Sequence, residues 1–108
     1  MDWAGRLVFL VVHEKGVLNM ENYRRMEGVV KGFANHRRIQ ILFLLEKEPE
    51  LSVEEVAGSL KVRFTTISAH LRRLAIAGLV MKRSDGKSIR HKLTDRARSV
   101  LEFLKALA

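Results

Sequence analysis

Val53-Glu54-Glu55-Val56-Ala57-Gly58-Ser59-Leu60-Lys61-Val62-Arg63-Phe64-Thr65-Thr66-Ile67-Ser68-Ala69-His70-Leu71-Arg72 carries the pattern of two helices joined by a tight turn. Ser52 stands three residues before Glu55, the spacing of a capping box, in which a hydroxyl takes one free amide and a carboxylate returns to another. A short helix therefore starts there, with Val53, Val56, Ala57 and Leu60 facing inward. A turn follows at Lys61–Arg63, and Ile67, Leu71 and Leu74 then form the buried seam of a longer helix. Two helices crossing this closely need a small residue at the crossing, and Ala57 provides it. Val56, Leu60, Val62 and Ile67 fall where the pair packs together. The turn often carries glycine, but Lys61 stands in its place, so the backbone there is either strained or shifted.

Reading outward, Gly78 sits where a left-handed helix cap is needed. Leu79–Arg83 and Lys87–Leu93 flank Ser84-Asp85-Gly86, and Asp-Gly between two strand-like runs signals a hairpin. In the second strand Ile89, His91 and Leu93 share one face, and Ser88, Arg90 and Lys92 share the other. Thr94 caps a last helix whose Ala97, Val100, Leu101, Leu104 and Leu107 lie on one side. Toward the N-terminus, Tyr23, Met26, Val30 and Phe33 make one helical stripe. Asn35 caps a helix from His36 to about Glu46 that is apolar nearly all round and so belongs at the centre, and Pro49 closes the connection after it. The order is helix, helix, short helix, turn, longer helix, hairpin, helix. It predicts a mainly α fold with a small β-hairpin wing, a winged helix-turn-helix. Residues 20–108 form this domain. Residues 1–19 are an N-terminal extension of uncertain role, in which Leu7–Val12 suits a short strand or the start of a helix, and Met20 is an alternative natural start.

Composition sets the outer limits. The chain has 108 residues, 47% of them hydrophobic, and no cysteine. One domain is expected, without disulfides, thiolate metal sites or a cysteine nucleophile. The longest apolar run, Leu7–Val12, is far short of the ~18 residues that cross a bilayer, and it lacks the flanks of a signal peptide. A cytoplasmic protein is the expectation. No Gly-rich phosphate loop, nucleophile elbow or zinc-hydrolase His-Glu motif occurs, so no enzyme is expected. Charge is more informative. Residues 61–98 carry eleven Lys and Arg against Asp85 and Asp95, a net of +9, whereas residues 1–60 balance to −1. A cationic block confined to one folded segment is the footprint of a polyanion-binding face.

Ala34-Asn35-His36-Arg37-Arg38-Ile39-Gln40-Ile41-Leu42, Ile67-Ser68-Ala69-His70-Leu71-Arg72-Arg73-Leu74 and Ala77-Gly78-Leu79-Val80, continued by Gly86 and Leu93-Thr94, carry a resemblance to a known family. Across Phe33–Leu107 the sequence resembles the ArsR (arsenic-repressor-like) winged-helix transcriptional repressors. The resemblance implies a homodimer joined through the first and last helices, with two recognition helices entering successive major grooves. Metal-sensing relatives carry a Cys-Val-Cys step where this chain has Ser52-Val53-Glu54, and an Asp/His/Glu site on a last helix that here has no His. His13, His36, His70 and His91 are dispersed, so neither a metal nor any other cofactor is expected.

For direct readout, the outward half of the longer helix offers Arg63, Thr65, Ser68, Ala69 and Arg72, with Arg73 on its flank toward the phosphates. Phe64 admits two readings, a buried cap beside Ile67 and Leu71 or a base contact, and its helical angle favours the cap. In the wing, Lys87, Ser88 and Arg90 are placed to meet phosphates, with Lys82, Arg83 and Lys92 strengthening the same field. Tyr23, Met26, Val30, Phe33, Val100, Leu101, Leu104 and Leu107 are the expected dimer surface, being more apolar area than so short a chain needs for its own core. These residues together predict a sequence-specific regulator of double-stranded DNA, acting as a homodimeric repressor. The alternative is a winged-helix protein-interaction module in a larger transcription or chromatin assembly.

Overall fold

A computed structural model describes residues 5–8, 10 and 16–108. The domain runs α1 (Met20–Phe33), α2 (His36–Lys47), β1 (Leu51–Ser52), α3 (Val53–Leu60), α4 (Phe64–Ile76), β2 (Val80–Ser84), β3 (Ile89–Leu93) and α5 (Asp95–Leu107). Residues 5–8 and 10 have helical backbone, so the described part of Leu7–Val12 follows the helix reading. The rest of that run, with His13, lies outside the described residues.

Helix starts follow the caps. The Asn35 side chain accepts from the amides of Arg37 and Arg38, and Thr94 accepts from Ala97. At Ser52 both halves of the capping box are formed. Helix α2 lies at the centre, with Ile41, Leu42 and Leu45 buried against Val56, Ile67, Leu71, Leu74, Leu79 and Leu101. Burying each such side chain is worth about 1.5–3 kcal/mol, which is what fixes the attitude of α4. Its apolar surround is incomplete, since Phe43 reaches solvent. Helix α1 crosses the C-terminal end of α4 at Gly32, where an added Cβ would collide with the Ala77 side chain.

The sheet differs from the expected two-stranded hairpin. Its order is β1-β3-β2, with Leu51 opposite His91 and Val80 opposite Leu93. Two residues are too few to show a period, so β1 left no sequence signal. The first hairpin strand is shifted one residue later than expected and the second starts two residues later but ends at Leu93 as expected, leaving Asp85–Ser88 as a four-residue turn closed by the Asp85 amide donating to the Ser88 carbonyl at 3.1 Å. The reason lies in Asp85, whose carboxylate accepts from the amides of both Lys87 and Ser88 and so pulls Lys87 out of the strand.

Two backbone positions explain the turns. Lys61 adopts φ 56°, ψ 45°, so the helix-turn-helix turn is made by a strained left-handed lysine and is not shifted. Gly78 adopts φ 73° within a Schellman cap, with the Leu79 amide on the Leu74 carbonyl at 2.9 Å and the Gly78 amide on Ala75 at 3.0 Å.

His91 is buried in the strand core, its Nδ1 donating to the Leu51 carbonyl at 2.9 Å. Burial holds its pKa below the ordinary histidine value; the Leu51 carbonyl opposes that shift and the charge of Lys82 adds to it.

Two stability outcomes follow from these strained and buried groups. Lys61→Gly should raise unfolding free energy by roughly 0.5–1 kcal/mol, since a left-handed side-chain residue costs about 1–2 kcal/mol and glycine returns part of that in unfolded-state entropy. Denaturant titration showing a loss would contradict the strain. Because the folded pKa of His91 is depressed, its contribution is complete above about pH 6.5 and fades as pH falls toward the folded value. Melting temperature should therefore fall between pH 7 and 5.5, with half-buried His70, whose pKa is lowered chiefly by burial, acting in the same direction. His91→Gln should flatten that slope; an unchanged slope would show that His91 does not titrate in this window.

Candidate nucleic-acid interface

Helix α4 buries Ile67, Leu71 and Leu74 and turns Thr65, Ala69 and Arg72 to solvent on the opposite side. Arg63, the residue before the helix, is also exposed, whereas Ser68 is half-buried on one flank. Thr66, which the sequence reading passed over, is exposed beside Thr65; a polar residue in the outward N-terminal half was signal enough to include it. Arg73 is exposed on the other flank, lining a cleft with Arg25, Gly32 and Arg96 where α1 meets α4. The outward side of α4 thus offers a hydroxyl, a methyl and a guanidinium within three helical turns, the set needed to meet base edges and phosphates.

The Phe64 expectation is overturned. Its side chain is 51% exposed, because it occupies the first helical position, ahead of the turn that Ile67 and Leu71 cover. It lines a cleft with Lys87, Ser88 and Ile89 of the wing tip. This cleft sets the wing turn beside the start of α4.

Strand register sorts the wing cations. Pairing of Lys82 with His91 and of Arg83 with Arg90 places Lys82 on the sheet face that packs inward, and Arg83, Arg90 and Lys92 on the other. Arg83 donates to Glu50 at 2.6 Å. Arg90 donates to Asp85 at 2.7 Å, to the Glu50 carbonyl at 3.0 Å and to Glu55 at 3.3 Å. These guanidiniums are engaged with the protein's own acids: Arg83 holds Glu50, and Arg90 holds Asp85, below the usual carboxylate range, whereas Glu55 is lowered chiefly by the Ser52 amide and hydroxyl, with Arg90 adding to it. For Asp85 the Arg90 hydrogen bond is the leading cause, followed by the Ser88 and Lys87 amides. Glu50 itself sits at φ 69°, a left-handed backbone held in place by its amide on the His91 carbonyl.

The cationic block does not gather on a single surface. Lys92 and Arg98 lie at the base of the wing, lining a cleft with Glu46 and Glu102 against α2 and α5. Arg98 pairs with Asp95, and Arg96 donates to the Ala77 carbonyl. Composition cannot separate these from the group beside α4, because both fall within one stretch of sequence. Arg63, Arg72, Lys82 and Lys87 remain exposed, and none of them forms an ion pair among the described residues.

The apolar terminal helices divide as well. Phe33, Val100 and Leu101 are buried in the protomer's own core, and Leu104 is half-buried. Tyr23, Met26, Val30 (52% exposed) and Leu107 (70%) stay in solvent. Phe103, off the expected stripe, joins them beside a cleft of about 440 Å³ between α1 and α5.

The positions of the metal-sensing Cys pair hold Ser52, whose hydroxyl is occupied as a helix cap, and Glu54, exposed in the first turn. That donor set does not fit a thiophilic metal. Among the described residues no three of His, Asp and Glu are placed to hold an ion, and no helix there is long and apolar enough to cross a membrane.

A family profile described as bacterial regulatory protein, arsR family, matches residues 35–82. The chain is 30% identical over 89 residues to an uncharacterized HTH-type transcriptional regulator of Methanocaldococcus jannaschii, spanning 82% of this chain and 100% of the relative. It is 34% identical over 88 residues to the transcriptional activator HlyU of Vibrio cholerae, spanning 81% of each. Among solved structures, the homodimeric winged helix-turn-helix DNA-binding domain of Mb0332 from Mycobacterium bovis, a possible ArsR-family regulator, superposes with a TM-score of 0.72. It shares 30% identity over 79% of each chain.

The ion pairs of the wing predict coupled behaviour. Arg90→Ala and Asp85→Ala should each loosen the turn and weaken duplex binding several-fold, and the double variant should be no worse than either single one. Binding isotherms in which the two losses multiply would instead make Arg90 a direct phosphate contact.

Proposed function

The chain belongs to the ArsR family of winged helix-turn-helix transcriptional regulators, and from this we propose that it binds duplex DNA sequence-specifically as a homodimer and represses transcription by covering promoter DNA. The observation that carries the reading is the exposed side of α4, where Thr65, Ala69 and Arg72 stand clear of the core with Arg63 and Lys87 at its edges. An α-helix presented this way fits the major groove, and its polar N-terminal half meets base edges while flanking cations meet phosphates. Arg73 and Lys82 supply further charge from either side. Ser68 and Ser88 are half-buried donors at the rim.

Dimerisation is supported by the exposed apolar residues of α1 and α5 and by the homodimeric state of the Mb0332 domain. Tyr23, Met26, Val30, Phe103 and Leu107 are its surface, and Leu104 completes it at the edge. A two-fold axis through this face gives half-sites about one helical turn apart. Repression needs nothing beyond occupancy, and the same face explains it. The protein acts in the cytoplasm, with its DNA. The protein-interaction alternative is not favoured, since the matching family profile and relatives are those of transcriptional regulators.

Selecting fragments from a genomic or random duplex pool should enrich an inverted repeat with that spacing. Log affinity should fall against log salt with a slope of about −0.9 for each phosphate neutralised, and Lys87→Ala in both subunits should reduce its magnitude by about 2. Recovery of no motif, or a slope unaltered by Lys87→Ala, would overturn the reading.

A further inference from the structure

Phe64 and Ile89 leave large apolar surfaces in water, 51% and 45% exposed, and neither belongs to the core. They come from different elements, the first residue of α4 and the first of β3. Both line one cleft of about 310 Å³, between the outward helix and the wing tip. Single exposed apolar residues are ordinary; here two from different elements converge in one cleft where the outward helix meets the wing tip.

The chemistry of the cleft selects its occupant. Lys87 at the rim draws a polyanion toward it. Glu54, exposed and lining the same cleft, repels a phosphate placed inside. A base edge carries no charge and meets no such penalty. Among the groups displayed in the major groove, the C5-methyl of thymine is the apolar one, and aromatic side chains are suited to it. We infer that Phe64 reads a thymine in each half-site by packing its ring against that methyl, with Ile89 closing the other side of the contact. The inference rests on the DNA-binding reading and adds to it a base and a residue that determines specificity.

Deoxyuridine differs from thymine only in lacking the methyl, so it isolates the contact. Each thymine of the selected half-site is replaced in turn, and the affinities of the unaltered protein, Phe64→Ala and Phe64→Leu are compared at one salt concentration. Burial of a single methyl corresponds to about a fourfold effect. The unaltered protein should lose about fourfold at one thymine of each half-site. Phe64→Ala should bind the thymine and deoxyuridine duplexes equally at that position, and Phe64→Leu should recover the difference. Sensitivity at other thymines, such as one met by Ala69, should persist in all three proteins. Identical deoxyuridine profiles for the unaltered protein and Phe64→Ala would overturn the inference, as would an unaltered protein indifferent to the methyl everywhere. Selection of no motif at all is a different failure, that of the DNA-binding reading, and the inference would fall with it.

Discussion

The C-terminal end of α4 is the joint on which the molecule depends. Gly78 closes the helix in a left-handed conformation that a side chain would strain, and an added Cβ would also strike the Arg96 guanidinium. From the first turn of α5, Thr94 donates its hydroxyl to the Gly78 carbonyl at 2.6 Å and Arg96 donates to the Ala77 carbonyl at 2.9 Å. The Thr94 amide bonds Leu79 at 3.1 Å. Orphaned carbonyls at the helix end are thus satisfied by the element that carries half of the exposed apolar face. Movement of α5 against a partner would reach α4 through these three hydrogen bonds and the packing of Leu101 in the same core.

The wing shows how a strongly basic segment is kept in order. Eleven cations crowded into residues 61–98 repel one another, and the acids of the preceding half answer part of that charge: Glu50 takes Arg83, and Glu55 shares Arg90 with Asp85. These pairs are exposed or half-exposed and individually weak. Their effect is geometric. They hold the Asp85–Ser88 turn and β1 together, so Lys87 is presented by a fixed turn beside the start of α4.

Most of the architecture was legible in the sequence, and the reasons are specific. Caps at Asn35, Ser52 and Thr94 and the seam Ile67/Leu71/Leu74 are local patterns with local causes, and each stands where the pattern put it. What was not legible depends on contacts between distant residues. Strand β1 exists only because β3 lies beside it. The engagement of Arg83 and Arg90 required knowing that Glu50 and Glu55, more than thirty residues away, come under the wing. Phe33, Val100 and Leu101 share a period with Met26, Val30 and Leu107, and periodicity alone does not say which part of a stripe faces the protomer's own core. Phe64 was misplaced for a related reason: a helical-wheel angle ignores that the first turn has no preceding turn to lie against.

In the proposed complex one surface, the outward side of α4 together with the wing turn, receives the DNA. Amide chemical-shift mapping during titration with a duplex containing the selected inverted repeat tests this most directly. The largest shifts are expected along Arg63–Arg73 and Asp85–Ser88, with the amides of Ile41, Leu42 and Leu45 in α2 unmoved. Shifts confined to the apolar side of α1 and α5, or spread evenly over Lys92, Arg96 and Arg98 at the wing's base, would contradict it.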